Sequence, residues 1–166
     1  MNTTLLGENT ITLTGAFVQQ GQQAPDFALV GTDLKTLSLS DFSGKTVILN
    51  IFPSIDTSTC ATSVRKFNQR AASLPGVTVI CVSRDLPFAQ KRFCGAEGID
   101  NVVTLSDFRD GSFGKTYGLE MQEGLFEGLH ARAVVVIGPE RNVLYSELVP
   151  NISLEPNYDA AISAAL

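Results

Sequence analysis

Three residues able to do chemistry lie close together in the first half of the chain, with the spacing Pro-x-x-x-Thr-x-x-Cys: Pro53, Thr57 and Cys60. Cys60 offers a thiolate, which is the nucleophilic form of cysteine. Thr57 can place its hydroxyl beside the sulfur, where it would donate to the thiolate or hold a substrate oxygen. Pro53 has no N–H and a fixed φ, so it can shape the loop and shield the thiolate from water. The spacing therefore indicates a reactive thiol at Cys60.

The segment around Cys60 is predicted to be a strand that turns into a helix. Val47 to Phe52 is rich in β-branched and aromatic residues without polar alternation, which is typical of a central strand covered on both faces. Pro53 ends that strand, and good helix N-cap candidates follow it: Asp56, Thr57 and Ser58. One helical face is then predicted from the spacing of Cys60, Val64, Phe67 and Ala71. Cys60 is expected in the first turn of this helix, facing inward.

A helix start stabilises a thiolate, but only within limits. Backbone N–H groups there lack intrahelical partners and, with the macrodipole, favour an anion. An ordinary thiol, with a pKa of roughly 8.5, is about 3% thiolate at pH 7, so complete ionisation raises reactivity by no more than roughly thirtyfold. A fast enzyme therefore needs further groups that position the substrate and stabilise the charge on the leaving group.

Arg132 is the best candidate for such a further group. It opens the otherwise apolar strand predicted over Ala131 to Ile137, where a charge is expensive unless it points at an anion. The alternative is an edge-strand charge in a surface ion pair.

Composition limits the classes of protein and of partner. The 166 residues, 44% hydrophobic and 17% charged, predict one domain over residues 1–166. A net charge of -5 without a basic cluster argues against nucleic acid. No stretch approaches a membrane-spanning length and the N-terminus lacks the pattern of a secretory signal, so we expect a cytoplasmic protein with no membrane partner. Three cysteines favour redox or catalytic use, and with one histidine we expect no metal or other cofactor.

The remaining pattern predicts an α/β fold with a central mixed β-sheet flanked by helices. The early crossovers should pair strands in parallel, and the last two strands should form a hairpin. Residues 1–20 are predicted to form an N-terminal β-hairpin that turns near Gly15. The later elements are predicted at Val77 to Ser83 (strand), Leu86 to Ala96 (helix), Val102 to Leu105 (strand), Ser112 to Tyr117 (helix), Ala131 to Ile137 and Val143 to Leu148 (strands), and Asn157 to Leu166 (helix).

Further segments complete a family pattern over nearly the whole chain: Ala24-Pro-Asp-Phe27, Asp85-Leu-Pro-Phe-Ala-Gln-Lys-Arg-Phe-Cys-Gly95, Ser106-Asp-Phe-Arg109 and Tyr117-Gly118. With Pro53, Thr57, Cys60 and Arg132, they make the chain resemble a peroxiredoxin of thioredoxin-like fold. More narrowly, the chain resembles the thiol peroxidase subfamily of atypical two-cysteine enzymes.

This resemblance implies an antioxidant enzyme that reduces hydrogen peroxide and organic hydroperoxides to water and alcohols. Cys60 would attack the terminal peroxide oxygen and become a sulfenic acid, while Thr57 and Arg132 hold both oxygens. Cys94 would then resolve the sulfenic acid as an intramolecular disulfide with Cys60, and thioredoxin would reduce that disulfide. A homodimer is likewise implied by the resemblance only.

Position adds to the case for Cys94 over Cys81. Cys81 lies inside a predicted strand, which cannot swing out without breaking its ladder. Cys94 lies at the glycine-flanked end of a predicted helix. Because a disulfide requires Cα atoms within about 7 Å, we expect local unwinding near Cys60 and Cys94 in each cycle.

Other readings stay open at this point. A redox-sensing interaction module could use the same Cys60–Cys94 disulfide to change a binding surface. A thiol-disulfide exchange enzyme is weakened by the absence of a Cys-x-x-Cys motif, and a Cys-His hydrolase using His130 lacks a third orienting residue. Phe52 and Ile55 would suit an alkyl or lipid hydroperoxide, or are simply core.

Overall fold

A seven-stranded mixed sheet organises the computed structural model, which describes residues 2–71 and 74–166. The N-terminal hairpin consists of β1 (Thr3–Leu6) and β2 (Asn9–Thr12). The strands of the large sheet are β3 (Ala28–Gly31), β4 (Thr36–Ser38), β5 (Thr46–Ile51), β6 (Val77–Ser83), β7 (Val102–Ser106), β8 (Ala133–Ile137) and β9 (Val143–Leu148). The helices are α1 (Ser58–Ala71), α2 (Pro87–Glu97), α3 (Ser112–Thr116) and α4 (Tyr158–Ala165), with a 3-10 helix over Leu39–Phe42.

The strand order in the large sheet is β4-β3-β7-β6-β5-β8-β9. β5, β6 and β7 pair in parallel, whereas β8, β9, β3 and β4 pair antiparallel with their neighbours. The predicted mixed sheet, with parallel early crossovers and a terminal hairpin, is confirmed. Because the parallel strands end at one edge of the sheet, the loops that follow them meet there.

Side-chain alternation divides the interior into two cores, one on each face of the sheet. Val47, Leu49 and Ile51 of β5 join the core that includes α3 and part of the N-terminal hairpin. Ile48 joins the core beneath α1 and α4, which also contains Cys60. The sheet therefore fixes the face on which the chemistry takes place.

Helix α1 places Cys60 in its first turn, as the residue spacing predicts. The Ala61 N–H donates to the Thr57 carbonyl at 2.9 Å, which puts Thr57 at the N-cap position. Cys60, Val64 and Phe67 are fully buried. The side chain of Ala71, the fourth member of the predicted face, lies outside the described part of the chain.

Three details differ from the sequence prediction. The N-terminal hairpin is present, but it turns at Gly7 and not near Gly15, because Leu6 pairs with Asn9 and the positive φ of Gly7 suits a two-residue turn. Strands β3 and β4, only four and three residues long, were not predicted. The predicted strand at Ala131 begins at Ala133, so Arg132 lies just before β8.

Within residues 2–71 and 74–166, no helix combines the length and apolarity needed to cross a membrane.

Candidate active site

Arg132 contacts the sulfur of Cys60. Its Nη2–H donates to Cys60 Sγ at 3.2 Å, and its Nε–H donates to the carbonyl of Ile152 at 2.9 Å. The third guanidinium nitrogen, Nη1, is buried and has no hydrogen-bond partner among the described residues. The Nε–H of Arg132 thus fixes the guanidinium to the backbone and Nη2–H contacts the sulfur. Nη1 keeps its hydrogen-bond donors available.

The burial of Arg132 excludes the surface ion pair. Its side chain is only 1% exposed, and no carboxylate forms a salt bridge with it in the part of the chain that the structure describes. A buried cation is costly unless an anion lies beside it. The guanidinium instead contacts the sulfur of Cys60.

Pro53 and Thr57 line a cavity of about 190 Å³ together with Arg132. The Thr57 hydroxyl donates to the Ser54 carbonyl at 3.1 Å, so in this arrangement it is bonded to the loop and not to the sulfur. Pro53 is buried and forms part of the wall. Cys60 is fully buried and does not itself line the cavity, so Arg132, which lines the cavity and contacts the sulfur, links the two.

Ser58, Thr59 and Ser153 also line the cavity, and the large apolar side chains of its wall come from distant parts of the chain. They include Leu6 from the N-terminal hairpin, Phe126 and Ile152. The hairpin is tied to the last of these, because the Ile152 N–H donates to the Leu5 carbonyl at 3.0 Å. Sequence reasoning missed these residues, and no local pattern marks them.

Phe52 and Ile55, the apolar residues considered from the sequence, belong to the core. They are 0% and 1% exposed, and neither lines this cavity. The large apolar side chains that line the cavity are therefore those of Leu6, Phe126 and Ile152, not those of Phe52 and Ile55.

Asp85 is a second group that sequence reasoning missed. Its carboxylate accepts from Ser54 Oγ and from the Ile55 N–H, both at 2.7 Å, and so holds the loop between β5 and α1. A signal was present, because Asp85 follows a buried strand predicted to be parallel to the one before Cys60.

Cys94 lies in the last turn of α2 and is half-buried. Burial raises the pKa of its thiol, and a hydrogen bond with Thr104 opposes that rise. Its carbonyl accepts the N–H of Gly98, which caps the helix in the left-handed conformation, and the N–H of Ile99 at 2.9 Å. The end of α2, which we expect to unwind in each cycle, is therefore an intact, capped helix end in this structure.

Cys81 lies in the sheet between the other two cysteines. It is fully buried, and burial raises the pKa of its thiol to about 12. Asn50 Nδ2 donates to its sulfur at 3.7 Å, and the strand register aligns Asn50, Cys81 and Thr104 across β5, β6 and β7.

This alignment separates Cys60 from Cys94. Arg132, which contacts Cys60, precedes β8, and Thr104, which bonds Cys94, is on β7, three strands away. With neighbouring strands about 4.8 Å apart, β7 and β8 are about 14 Å apart in the sheet. All three cysteines are free, so the structure corresponds to the reduced form.

His130 is engaged elsewhere. Its Nε2 lies 2.9 Å from Asp107 Oδ2, and its ring packs against Phe113. Burial lowers the pKa of His130, against the opposing effect of Asp107. No hydrogen bond joins His130 to Cys60 among the described residues, so the hydrolase dyad is not formed.

Comparison with known proteins agrees with this fold and site. The family model described as Redoxin matches residues 19–162. Thiol peroxidases of Mycobacterium tuberculosis and Mycobacterium bovis are each 58% identical over 156 residues, which is 94% of this chain and 93% of theirs.

Solved structures agree as well. A peroxiredoxin-like protein from Aquifex aeolicus matches with a TM-score of 0.94 at 41% identity, over 99% of this chain and 96% of that chain. A thiol peroxidase from Chromobacterium violaceum, at 24% identity, shares the fold with a TM-score of 0.90, over 98% and 94% of the two chains. The chain therefore belongs to the Redoxin family, and within it to the peroxiredoxins of the thiol peroxidase type.

Proposed function

We propose that this enzyme reduces hydroperoxides with Cys60 as the attacking thiolate and Cys94 as the resolving thiol. The observation that carries the proposal is the guanidinium of Arg132, which bonds the Cys60 sulfur at 3.2 Å while Nη1 stays without a partner among the described residues. A group that binds the thiolate and keeps a free donor can also hold the peroxide oxygen under attack.

The first step breaks the O–O bond. The Cys60 thiolate attacks the terminal oxygen and becomes a sulfenic acid, and the leaving oxygen takes a proton and departs as water or an alcohol. In this proposal Arg132 stabilises the developing negative charge, and Thr57, which lines the same cavity, holds a substrate oxygen.

The second step forms the disulfide. The Cys94 sulfur attacks the Cys60 sulfur, and water leaves. Because Cys60 is hydrogen-bonded to Arg132 and Cys94 is hydrogen-bonded to Thr104, both hydrogen bonds must break before the disulfide can form. Unwinding at the start of α1 and the end of α2 would bring them together, and thioredoxin would then reduce the disulfide.

The cavity favours organic hydroperoxides over hydrogen peroxide. Its volume of about 190 Å³ is of the order that holds a benzene-sized molecule, and Leu6, Phe126 and Ile152 give it apolar walls. Phe126→Ala should therefore lower the rate with cumene hydroperoxide more than the rate with hydrogen peroxide. Equal effects on both substrates would remove this part of the proposal.

Activity in matched variants tests the proposal. Hydroperoxide loss is followed with thioredoxin, its reductase and NADPH in the parent, Cys60→Ser and Cys94→Ser chains. We expect no turnover in Cys60→Ser. Cys94→Ser should keep one rapid equivalent of peroxide consumption and lose recycling. Full turnover in Cys60→Ser would exclude Cys60 as the peroxide-reducing thiol, and normal thioredoxin-linked rates in Cys94→Ser would exclude Cys94 as the resolving one.

The same assay separates catalysis from redox sensing. A sensor would consume one equivalent of hydroperoxide even with saturating reductant, whereas an enzyme turns over repeatedly. Sustained turnover is expected, because sensing alone does not need Arg132 at the sulfur and Thr57 in the adjoining cavity.

The proposal also covers assembly and location. We propose that residues 1–166 form one domain and that the protein is cytoplasmic, and the family resemblance adds a homodimer. The exposed Leu86 and Phe88 offer apolar surface for a subunit contact. Sedimentation of the purified protein and cell fractionation test these two points.

A further inference from the structure

Two loops meet where parallel strands β5 and β6 end. The last register pair joins Ile51 to Val82. Ser54 lies three residues beyond the first of these and Asp85 three residues beyond the second. Because parallel strands carry both chains in one direction to the same edge, the sheet sets the two residues side by side.

The carboxylate of Asp85 clamps the loop that precedes α1. Oδ1 accepts from Ser54 Oγ at 2.7 Å, and Oδ2 accepts from the Ile55 N–H at 2.7 Å and from Ser83 Oγ at 2.6 Å. No Lys or Arg forms a salt bridge with Asp85 among the described residues, so these donors compensate its charge. Hydrogen bonds to an ionised carboxylate are the strong kind.

The clamp continues to the helix that carries Cys60. The Ser54 carbonyl accepts both the N–H and the hydroxyl of Thr57, each at 3.1 Å. The Thr57 carbonyl in turn accepts the Ala61 N–H at 2.9 Å, which begins the helical bonding of α1. A shift of Ser54 is therefore passed to Thr57 and to the first turn of α1.

Hydrogen bonds from β7 and α2 fix the backbone of Asp85 and its partner Ser83. Ser106 Oγ on β7 donates to the Asp85 carbonyl. Gln90 of α2 donates to Ser83 Oγ at 3.2 Å and to the Leu105 carbonyl at 3.0 Å. The carboxylate is thus an anchor fixed to the sheet and to α2, not a mobile surface side chain.

We propose that Asp85 is a positioning residue that holds the Pro53–Thr57 loop and the first turn of α1 in the arrangement needed for attack on the hydroperoxide. The inference rests on the proposed function. Asp85 lies two residues before α2, and the opening turn of α1 must move when Cys60 travels to Cys94. Loss of the clamp should therefore slow the peroxide step and leave the disulfide step unslowed.

The two steps can be timed separately. Rapid quenching with a thiol-blocking reagent and mass spectrometry suit this chain, which has no tryptophan as a fluorescent reporter. The peroxide step is measured as Cys60 sulfenic acid formation in the Cys94→Ser background. The disulfide step is measured in chains that keep Cys94, after a pulse of excess hydroperoxide.

Asp85→Ala should lower the rate constant of Cys60 oxidation by about ten- to hundredfold, since small misplacements of reacting groups cost rates of that order. Its disulfide step should stay within about threefold of the parent or become faster. Asp85→Asn keeps the size and one acceptor, so it should fall between parent and Asp85→Ala. It also serves if the alanine variant does not fold.

Two further variants test the route. Ser54→Ala removes one bond of the clamp, and its effect should not add to that of Asp85→Ala if the carboxylate acts through Ser54. Asp56→Ala removes an exposed carboxylate from the same loop, paired with Arg92 at 3.3 Å, and should leave the peroxide step unchanged. A plain loss of stability would instead slow both steps together.

The outcomes separate this inference from the proposed function. If the parent chain forms no Cys60 sulfenic acid, the proposed function fails. If the parent reacts and the Asp85 variants react equally fast, or if both steps slow equally, the positioning role is overturned. A slower peroxide step with an unslowed disulfide step supports it.

Discussion

Replacing Arg132 by lysine should slow the attack on hydroperoxide while keeping the positive charge. The guanidinium places Nε 2.9 Å from the Ile152 carbonyl and Nη2 3.2 Å from the Cys60 sulfur, and Nη1 has no hydrogen-bond partner among the described residues. A lysine has a single nitrogen, which cannot occupy three positions. Arg132→Lys therefore loses at least one donor to the sulfur or to the peroxide oxygen.

The size of the effect follows from that loss. A hydrogen bond to a charged group contributes about 1.5–3 kcal/mol, and about 1.4 kcal/mol changes a rate tenfold, so the rate constant should fall about ten- to 150-fold. Arg132→Met also removes the charge and should reach the upper end of this range or exceed it. Both estimates apply to a side chain that is 1% exposed, where solvent screening is small.

The assay is sulfenic acid formation at Cys60 after rapid quenching, in the Cys94→Ser background. Arg109→Lys is the matched control, because Arg109 is exposed and bonds Thr36 away from the cavity. A rate constant for Arg132→Lys within threefold of the parent would refute the claim that Arg132 binds the reacting atoms. A circular dichroism spectrum equal to that of the parent excludes misfolding as the cause of a decrease.

Three other predictions concern groups outside the cavity. Cys81 should resist iodoacetamide in the folded protein until the pH approaches its pKa of about 12, and Cys81→Ala should keep both catalytic steps within about twofold; alkylation at pH 8 without unfolding would contradict this. Burial lowers the pKa of His130, so the contribution of this residue to the free energy of unfolding should be complete above about pH 6.5. Below that pH the free energy of unfolding should fall by up to roughly 1.4 kcal/mol per pH unit, more steeply than in His130→Gln. The same pH dependence of the free energy of unfolding in both chains would contradict this. Arg65 pairs with Glu97 at 2.8 Å and so joins α1 to the end of α2, and Glu97→Gln should speed disulfide formation by no more than about fivefold; slower formation would show that the pair does not restrain α2.

Much of the site was predictable because local signals agreed. The buried strand, Pro53 and the helical spacing after Thr57 all pointed to Cys60 at a helix start, and the structure has it there. Arg132 was predictable for another reason, since a charge beside an apolar strand needs an anion. Both inferences rest on costs that a chain cannot avoid, namely unpaired backbone groups and buried charge.

The rest depended on tertiary contacts. Leu6, Phe126 and Ile152 line the same cavity only because the hairpin packs against the segment that contains Ile152. No local sequence pattern around these residues predicts that contact. The hairpin turn was misplaced because Gly7 and Gly15 both have positive φ, and only the pairing of Leu6 with Asn9 decides between them. The clamp by Asp85 could have been suspected from the parallel strands, but its hydrogen bonds required the structure.

The most direct test of the account is a peptide mass spectrum of the reduced protein after one equivalent of hydroperoxide, with free thiols blocked at once. We predict a single disulfide joining the peptides of Cys60 and Cys94, with Cys81 recovered as a thiol. A disulfide that includes Cys81, or a protein whose Cys60 remains reduced while the peroxide persists, would contradict the assignment of Cys60 as the attacking thiol and Cys94 as its partner.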